Sequence, residues 1–259
     1  VLCPGCAEDG GDLLVMKYPV TNAQYAHFVA ANGYHNPAYW GGEASESWQW
    51  RVKNHSNYRG DGPVKNPEYW QDARLGEERG GFPVVGVSWY EAQAYAAWLA
   101  GLVGNAESVE AAERVLIEKL LPYQISEIRL PTEAEWEKIA GGTKAADRYP
   151  WDAPAGPATG DVKDIVVRAN VRKADLNGTS PAGMYPLGRS EPYGLMDLAG
   201  NVWEWMENGY DDDKVGRALR GGSWNHNRWL ARVSYRNYYY PLNSNYLIGF
   251  RLVAPVAGS

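Results

Sequence analysis

The capacity of this chain for redox and metal chemistry rests on two cysteines and four histidines. Cys3 and Cys6 form one Cys-x-x-Cys pair, which lacks the further ligands that a tetrahedral zinc site needs. A redox pair of this type normally opens a helix after a strand, whereas Gly10 and Gly11 follow here. We therefore predict no catalytic role for the pair. The histidines are His27, His35, His55 and His226. No two of them have the spacing of metal ligands.

Composition limits the partners. The 259 residues include 45% apolar residues, 12 Trp and 18 Tyr, so the chain is expected to fold around a real core. A net charge of −6 argues against nucleic acid, which requires clustered Lys and Arg. The acidic run Asp211 to Asp213 is interpreted as a solvated loop. No stretch has the length of a membrane span, and no secretion signal precedes the first strand. Because the chain begins at Val1 and not at Met, we expect that an upstream segment was removed or is missing.

The elements that would position these side chains begin with helix caps. Ser or Thr stands three residues before Glu or Gln in Thr21–Gln24, Ser88–Glu91 and Thr132–Glu135, which is the spacing of a capping box. Each pattern predicts a helix start, because apolar residues follow at helical spacing. A fourth helix is predicted from about 108 to 121, ending before Pro122. Its predicted apolar side consists of Val109, Val115, Leu116 and Leu120.

Strand candidates are short, and lie at 13–17, 128–130 and 248–253. The stretch 36–81 is polar, aromatic and rich in Gly and Pro, and is predicted to be a long packed loop. Gly and Pro recur every few residues after Gly141. Such a chain needs fixed points, and Trp packing and bound metal are the candidates.

Long motifs identify a family. They are Arg129–Glu137, Tyr193–Trp205, Leu219–Trp224, Gly249–Arg251, Pro19–Asn22 and Pro83–Trp89. Together they resemble the formylglycine-generating enzyme family over nearly the whole chain. The resemblance implies an α+β fold of the C-type lectin type, loop-rich, with short strands and a few helices. We expect a single domain over 1–259.

The resemblance alone leaves the activity open, since the family includes sulfatase-activating oxidases, iron-dependent sulfoxide synthases and non-catalytic binding proteins. The oxidase requires a thiol pair after the Arg-Gly-Gly-Ser-Trp element, but no Cys follows Cys6. The sulfoxide synthase requires a histidine-rich iron site. We therefore expect a non-catalytic binding protein. An oxidase or sulfoxide synthase relative is the alternative.

The segment from Asn225 to Leu247 has an unusual composition. Asn, Tyr, Ser, Leu and His dominate it, and Lys, Glu, Gln and Met are absent. Random replacement of the adenines of an AAC codon produces this bias. It cannot produce Trp, so Trp229 must be a fixed position under this account. The segment resembles the variable region of a diversity-generating retroelement variable protein, bounded by Arg220–Trp224 and Ile248–Arg251.

This resemblance implies a diversified surface over about 220–251, in a protein of prokaryotic or phage origin that is cytoplasmic or surface-displayed. Tyr, Asn and Ser also suit adaptable binding, as in antibody paratopes. The partner is expected to be a protein or another macromolecule of unknown identity. An ordinary polar loop is the alternative. The predicted contact residues are Asn225, His226, Asn227, Leu230, Tyr235, Asn237, Tyr238, Tyr239, Tyr240, Leu242, Asn243, Ser244, Asn245, Tyr246 and Leu247. The interleaved Arg228, Arg232 and Arg236 are interpreted as scaffold.

The family resemblance also implies structural calcium. The matching positions are Asp197, Gly200, Val202 and Glu204. Carboxylate and carbonyl oxygens of this kind suit Ca²⁺. A weaker set, whose spacing departs from the family by about one residue, is Asn170, Val171, Asp175 and Leu176. The alternative is that Asp197 and Glu204 only cap or pair within the fold.

Overall fold

The computed structural model describes residues 1–53, 62–141, 148–152, 165–191, 193–212 and 215–258. His55 and Asp213 lie outside these ranges. The described α-helices are α1 (Asn22–Ala30), α2 (Glu46–Lys53), α3 (Trp89–Gly104), α4 (Ala111–Ile117) and α5 (Glu133–Ile139). The strands are β1 (Leu2–Cys3), β2 (Leu13–Val15), β3 (Trp203–Gly209), β4 (Arg217–Arg220), β5 (Asn237–Tyr239), β6 (Ile248–Gly249) and β7 (Val253–Pro255).

All three predicted capping boxes are confirmed, at the starts of α1, α3 and α5. In each, the Ser or Thr hydroxyl accepts a backbone N–H bond, and the Gln or Glu side chain accepts one from the cap residue in return. The two glutamates among these side chains also make contacts outside their own capping boxes. Glu91 accepts a bond from the Tyr34 hydroxyl at 2.6 Å, and Glu135 pairs with Arg129. The start of each of these helices is therefore determined by hydrogen bonds between residues close in the chain.

The stretch predicted as a long loop contains a helix, so that prediction was wrong in part. The sequence of α2 is polar, but its Trp50 ring packs 6.4 Å from Trp40 and 5.6 Å from Tyr90. Tertiary packing, and not local pattern, forms this helix. The fourth predicted helix is shorter than expected. Its Val115 is 66% exposed, so the assignment of this residue to the apolar side was wrong.

The strands form two small sheets. The first has the order β1-β2-β7 and joins the two ends of the chain in antiparallel pairs. The second has the order β5-β4-β3-β6, and only its β3–β6 pair is parallel. The predicted strand at 248–253 is therefore two strands in different sheets, with buried Phe250 and Leu252 in the crossing between them. The predicted strand at 128–130 is reduced to one bridge, between Arg129 and Val253.

Aromatic rings fill the main core between α1, α3 and the crossing at Phe250. Tyr25 stacks on Tyr95 at 5.2 Å, and Phe28 contacts both Tyr95 and Trp98. Much of the Trp and Tyr content is thereby structural. A smaller cluster surrounds the buried Cys3–Cys6 disulfide, whose Cys3 is part of β1. Within the described ranges, no helix is long and apolar enough to cross a membrane.

Candidate ligand-binding surface and metal positions

The segment 225–247 is framed by the second sheet. It starts after β4, forms a 3-10 turn at Arg228–Ala231, adds β5 to the edge of β4, and returns into β6. Because β5 and β6 lie at opposite edges of this sheet, the segment spans its full width. The absence of a strand period in the sequence hid β5, whose three residues alternate between the two faces of the sheet.

Two arginines, Arg220 and Arg236, connect this segment to α5. Arg220 is fully buried and donates to the carbonyls of Ser234 and Tyr235 at 3.3 and 3.1 Å, and it pairs with Glu137. Arg236 donates to both carboxylate oxygens of Glu133 at 2.8 and 2.6 Å. It also donates to the Tyr210 carbonyl at 2.7 Å. Arg236 thus has the scaffold contacts predicted for it.

Other hydrogen bonds hold the backbone of the segment through its carbonyl groups and do not involve its side chains. The N–H groups of Gly86 and Trp203 donate to the carbonyls of Asn245 and Leu247, at 3.0 and 2.8 Å. The Arg172 guanidinium donates to the carbonyl of Asn225 at 2.7 and 2.9 Å. Since every residue type has the same carbonyl, these contacts survive a change of side chain.

None of the fifteen predicted contact residues is buried. The exposed ones are Asn227, Tyr235, Tyr238, Tyr240 and Leu242. The half-buried ones are Asn225, His226, Leu230, Asn237, Tyr239, Asn243, Ser244, Asn245, Tyr246 and Leu247. The large side chains among the exposed ones, Tyr235, Tyr238, Tyr240 and Leu242, are between 39% and 48% accessible, and the rings of Tyr238 and Tyr240 lie 6.4 Å apart.

The half-buried members do not all share the outer face. Strand alternation places Tyr239 on the opposite side of β5 from Tyr238, and its ring lies 6.4 Å from Trp205. Leu230 and Leu247 pack against the main core. His226 shares a hydrogen bond of 2.6 Å with the Ser223 hydroxyl, and burial lowers the pKa of its imidazole. These half-buried side chains are therefore partly accessible and also contact the core or the motif at Ser223.

Two guanidinium groups contact the Trp229 ring. Those of Arg228 and Arg232 lie 3.9 and 4.4 Å from the ring centroid, and Trp229 remains 43% exposed. These cation–π contacts hold an exposed aromatic ring at the 3-10 turn. Composition identified Trp229 as fixed but gave no sign of this role.

The first calcium set has only part of its oxygens available. Asp197 is buried, accepts one bond from the Gly183 N–H at 2.6 Å, and has its carboxyl pKa raised to about 6 by burial. Glu204 accepts from the Arg251 guanidinium at 2.7 to 3.0 Å and from the Trp136 indole at 2.8 Å. Because Arg251 already neutralises Glu204, a cation would have to compete with it there. This pairing is the alternative role stated above for Glu204.

The weaker set is also dispersed. Asn170 and Val171 are buried, and the Asn170 side-chain oxygen has no hydrogen-bond partner within the described ranges. Asp175 and Leu176 are exposed, and Asp175 accepts from the neighbouring Asn177 amide. The orphaned oxygen of Asn170 would suit a cation, whereas Asp175 serves its own turn. Among the residues described, no group of three or more His, Cys, Asp and Glu side chains could hold a metal.

Residues 9–256 match the family described as "Sulfatase-modifying factor enzyme 1-like domain". The chain belongs to this family. It is 28% identical to a hercynine oxygenase of Mycolicibacterium smegmatis over 96% of its own length and 54% of that protein. It is 30% identical to the "Inactive C-alpha-formylglycine-generating enzyme 2" of Bos taurus, over 90% of this chain and 74% of that protein. The chain spans about half the length of the hercynine oxygenases that it matches.

Solved structures of the family's fold support the α+β, loop-rich architecture. The structure of PvdO from Pseudomonas aeruginosa aligns with a TM-score of 0.59 and 20% identity, over 95% of this chain and 82% of that one. The Treponema denticola variable protein 1 aligns with a TM-score of 0.57 and 23% identity, over 95% of this chain and 85% of that one. The predicted C-type lectin fold of this family is confirmed, and the proteins that this chain resembles include one named as an oxygenase and one named as inactive.

Proposed function

We propose that this family member is a non-catalytic binding protein that presents the segment 225–247 to a macromolecular partner. The observation that carries the proposal is the separation of roles in that segment. Its backbone is held by groups from elsewhere in the fold, such as Arg220, Arg172 and the Gly86 N–H, whereas none of its fifteen candidate side chains is fully buried and five of them are exposed. A surface can be diversified only when its backbone does not depend on the side chains displayed.

The chemistry of the displayed side chains also supports binding. Tyr235, Tyr238 and Tyr240 combine a large rigid ring with a hydroxyl, so that they gain contact area at small entropic cost. Asn and Ser between them adapt their hydrogen bonds to different partners. The diversified composition and the fold of the Treponema denticola variable protein point to the same class.

An oxidase or sulfoxide synthase relative is the second candidate, because relatives are named hercynine oxygenase and formylglycine-generating enzyme. The oxidase would need a thiol pair after the motif that ends at Trp224, and the sulfoxide synthase would need a histidine-rich iron site. No cysteine follows Cys6, and Cys6 itself is in a buried disulfide. His226 is the histidine present there, and one imidazole is a poor substitute for a thiol pair.

Joint replacement tests the proposal. We expect a variant with Tyr235, Tyr238, Tyr240 and Leu242 all changed to Ser to keep its fold, at a cost near that of surface substitutions, about 0.5 kcal/mol each. The matched control changes four buried residues of similar size, Tyr25, Tyr34, Tyr95 and Leu99, to Ser. Circular dichroism and thermal melting measure both. Unfolding of the surface variant would make the segment ordinary core. A near-copy of the coding sequence with AAC codons, next to a reverse transcriptase gene, would independently support diversification.

A further inference from the structure

A cavity of about 430 Å³ lies where the segment 225–247 meets two other loops. One wall comes from 69–75, another from the turn at Asn177–Gly178, and the third from the segment and its flank. Its main lining residues are Tyr69, Asp72, Arg74, Leu75, Trp224 and Tyr246. A volume of this size receives a single side chain and not a folded element.

Three aromatic rings form the walls. The Tyr246 ring lies 5.9 Å from Tyr69, nearly perpendicular to it, and 6.0 Å from Trp224, tilted by 43°. Buried Leu75 adds an apolar patch beside them. Tyr69 and Trp224 lie outside the set of candidate contact residues, whereas Tyr246 belongs to it. Two of the rings that line the cavity therefore lie at fixed positions, and the third lies at a candidate diversified position.

The lining contains one carboxylate and one guanidinium, those of Asp72 and Arg74. Beside the lining, the carboxylates of Glu68 and Asp175 accept hydrogen bonds from Ser244 and Asn177, and the guanidinium groups of Arg79 and Arg172 donate to the carbonyls of Ala73 and Asn225. The cation in the lining is Arg74, whose side chain is 77% exposed and therefore largely solvated. Its Nε is 3.7 Å from Asp72, too far for a hydrogen bond.

We infer that this cavity receives a cationic side chain, Arg or Lys, that protrudes from the partner of the surface. Aromatic faces attract a cation through their negative quadrupole, and the attraction grows when water is excluded. The Asp72 carboxylate in the lining adds a Coulombic attraction that an uncharged side chain would not gain. The inference rests on the proposed function, because Tyr246 is one of the displayed residues. The inference also assigns a role to Tyr246, because its exchange for Asn or Ser would open one wall of the cavity.

The test uses two small probes on the ¹⁵N-labelled chain. N-acetyl-arginine methylamide carries the guanidinium, and N-acetyl-citrulline methylamide is its neutral isostere. The readout is the indole N–H signal of Trp224, assigned by its loss in Trp224→Phe. We expect the arginine probe to shift this signal saturably and to bind about three- to tenfold more tightly than the citrulline probe.

Two variants and one control locate the effect. Asp72→Asn keeps an oxygen for the bond that Asp72 accepts from the Arg74 N–H at 2.7 Å but removes the charge, and Tyr246→Ser removes one wall. Each should weaken the arginine probe severalfold. Asp9→Asn is the matched control, because Asp9 accepts a similar bond from the Gly11 N–H at 3.0 Å and lies outside the cavity lining. It should change nothing.

Equal affinity for the two probes, or no shift of Trp224, would overturn the inference. Equal loss in Asp9→Asn and Asp72→Asn would overturn it as well. Those outcomes leave the proposed function standing if the joint surface variant remains folded. Unfolding of that variant would instead remove the basis of both.

Discussion

Glu133 is the acid on which the fixed frame of the surface depends most. Its carboxylate accepts two bonds from Arg236, accepts one from the Asn208 amide at 3.2 Å, and lies 3.6 Å from Arg220. Only 12% of its side chain is exposed, so the change Glu133→Gln removes a charge from a mostly dry network. Breaking one partner of a buried ion pair costs about 3–5 kcal/mol. Because Arg236 is 40% exposed and Arg220 keeps Glu137, we expect a loss of about 2 kcal/mol in unfolding free energy.

Urea unfolding measures this loss through a lower midpoint at constant slope. Hydrogen exchange should show faster opening of β5, since Arg236 directly precedes that strand. The matched control is Glu127→Gln. Glu127 also pairs with an arginine, Arg129, at 2.6 Å, but its side chain is 54% exposed, so the expected cost is below about 0.5 kcal/mol. Equal costs for the two variants would refute the reasoning that Glu133 anchors the surface.

Two further predictions concern chemistry and metal. The protein should not convert the cysteine of a sulfatase-type peptide to formylglycine when copper is supplied, because no Cys follows Cys6; product found by mass spectrometry would contradict this. Calcium at the positions Asp197, Gly200, Val202 and Glu204 should raise the melting temperature relative to a chelator-treated sample, and Asp197→Asn should abolish that rise. An unchanged melting temperature and no metal by elemental analysis would instead favour the Arg251–Glu204 pair as the sole organiser of this region.

The parts of the fold that sequence predicted well depend on near neighbours in the chain. A capping box involves residues three apart, so Thr21, Ser88 and Thr132 could be identified without knowledge of the packing. The parts that sequence predicted poorly depend on distant contacts. Helix α2 forms because Trp50 meets Trp40 and Tyr90, and β6 and β7 separate because their partners, β3 and β2, lie far away in the chain.

The surface shows the same division. Composition predicted fifteen contact residues in 225–247, of which five are exposed and ten are half-buried, while Leu230, Tyr239 and Leu247 pack against the main core. It gave no information on the cavity, whose other walls come from Tyr69 and Trp224. A pocket built from three separate loops has no sequence period, so only the folded chain reveals it.

The contacts of His226 show that the fifteen candidate positions are not equivalent. Its ring bonds to Ser223 and packs 5.6 Å from the ring of Trp203, so its side chain supports the motif that begins the segment. Tyr238, by contrast, is 48% exposed and packs against Tyr210 at 5.0 Å on the outside of the sheet. A replacement at His226 must satisfy a buried hydroxyl and fill a ring-sized space, whereas one at Tyr238 loses an outer contact with Tyr210 and meets solvent there. Selection for folding should therefore allow few residue types at position 226 in diversified sequences, whereas the residue type at position 238 can vary with the partner.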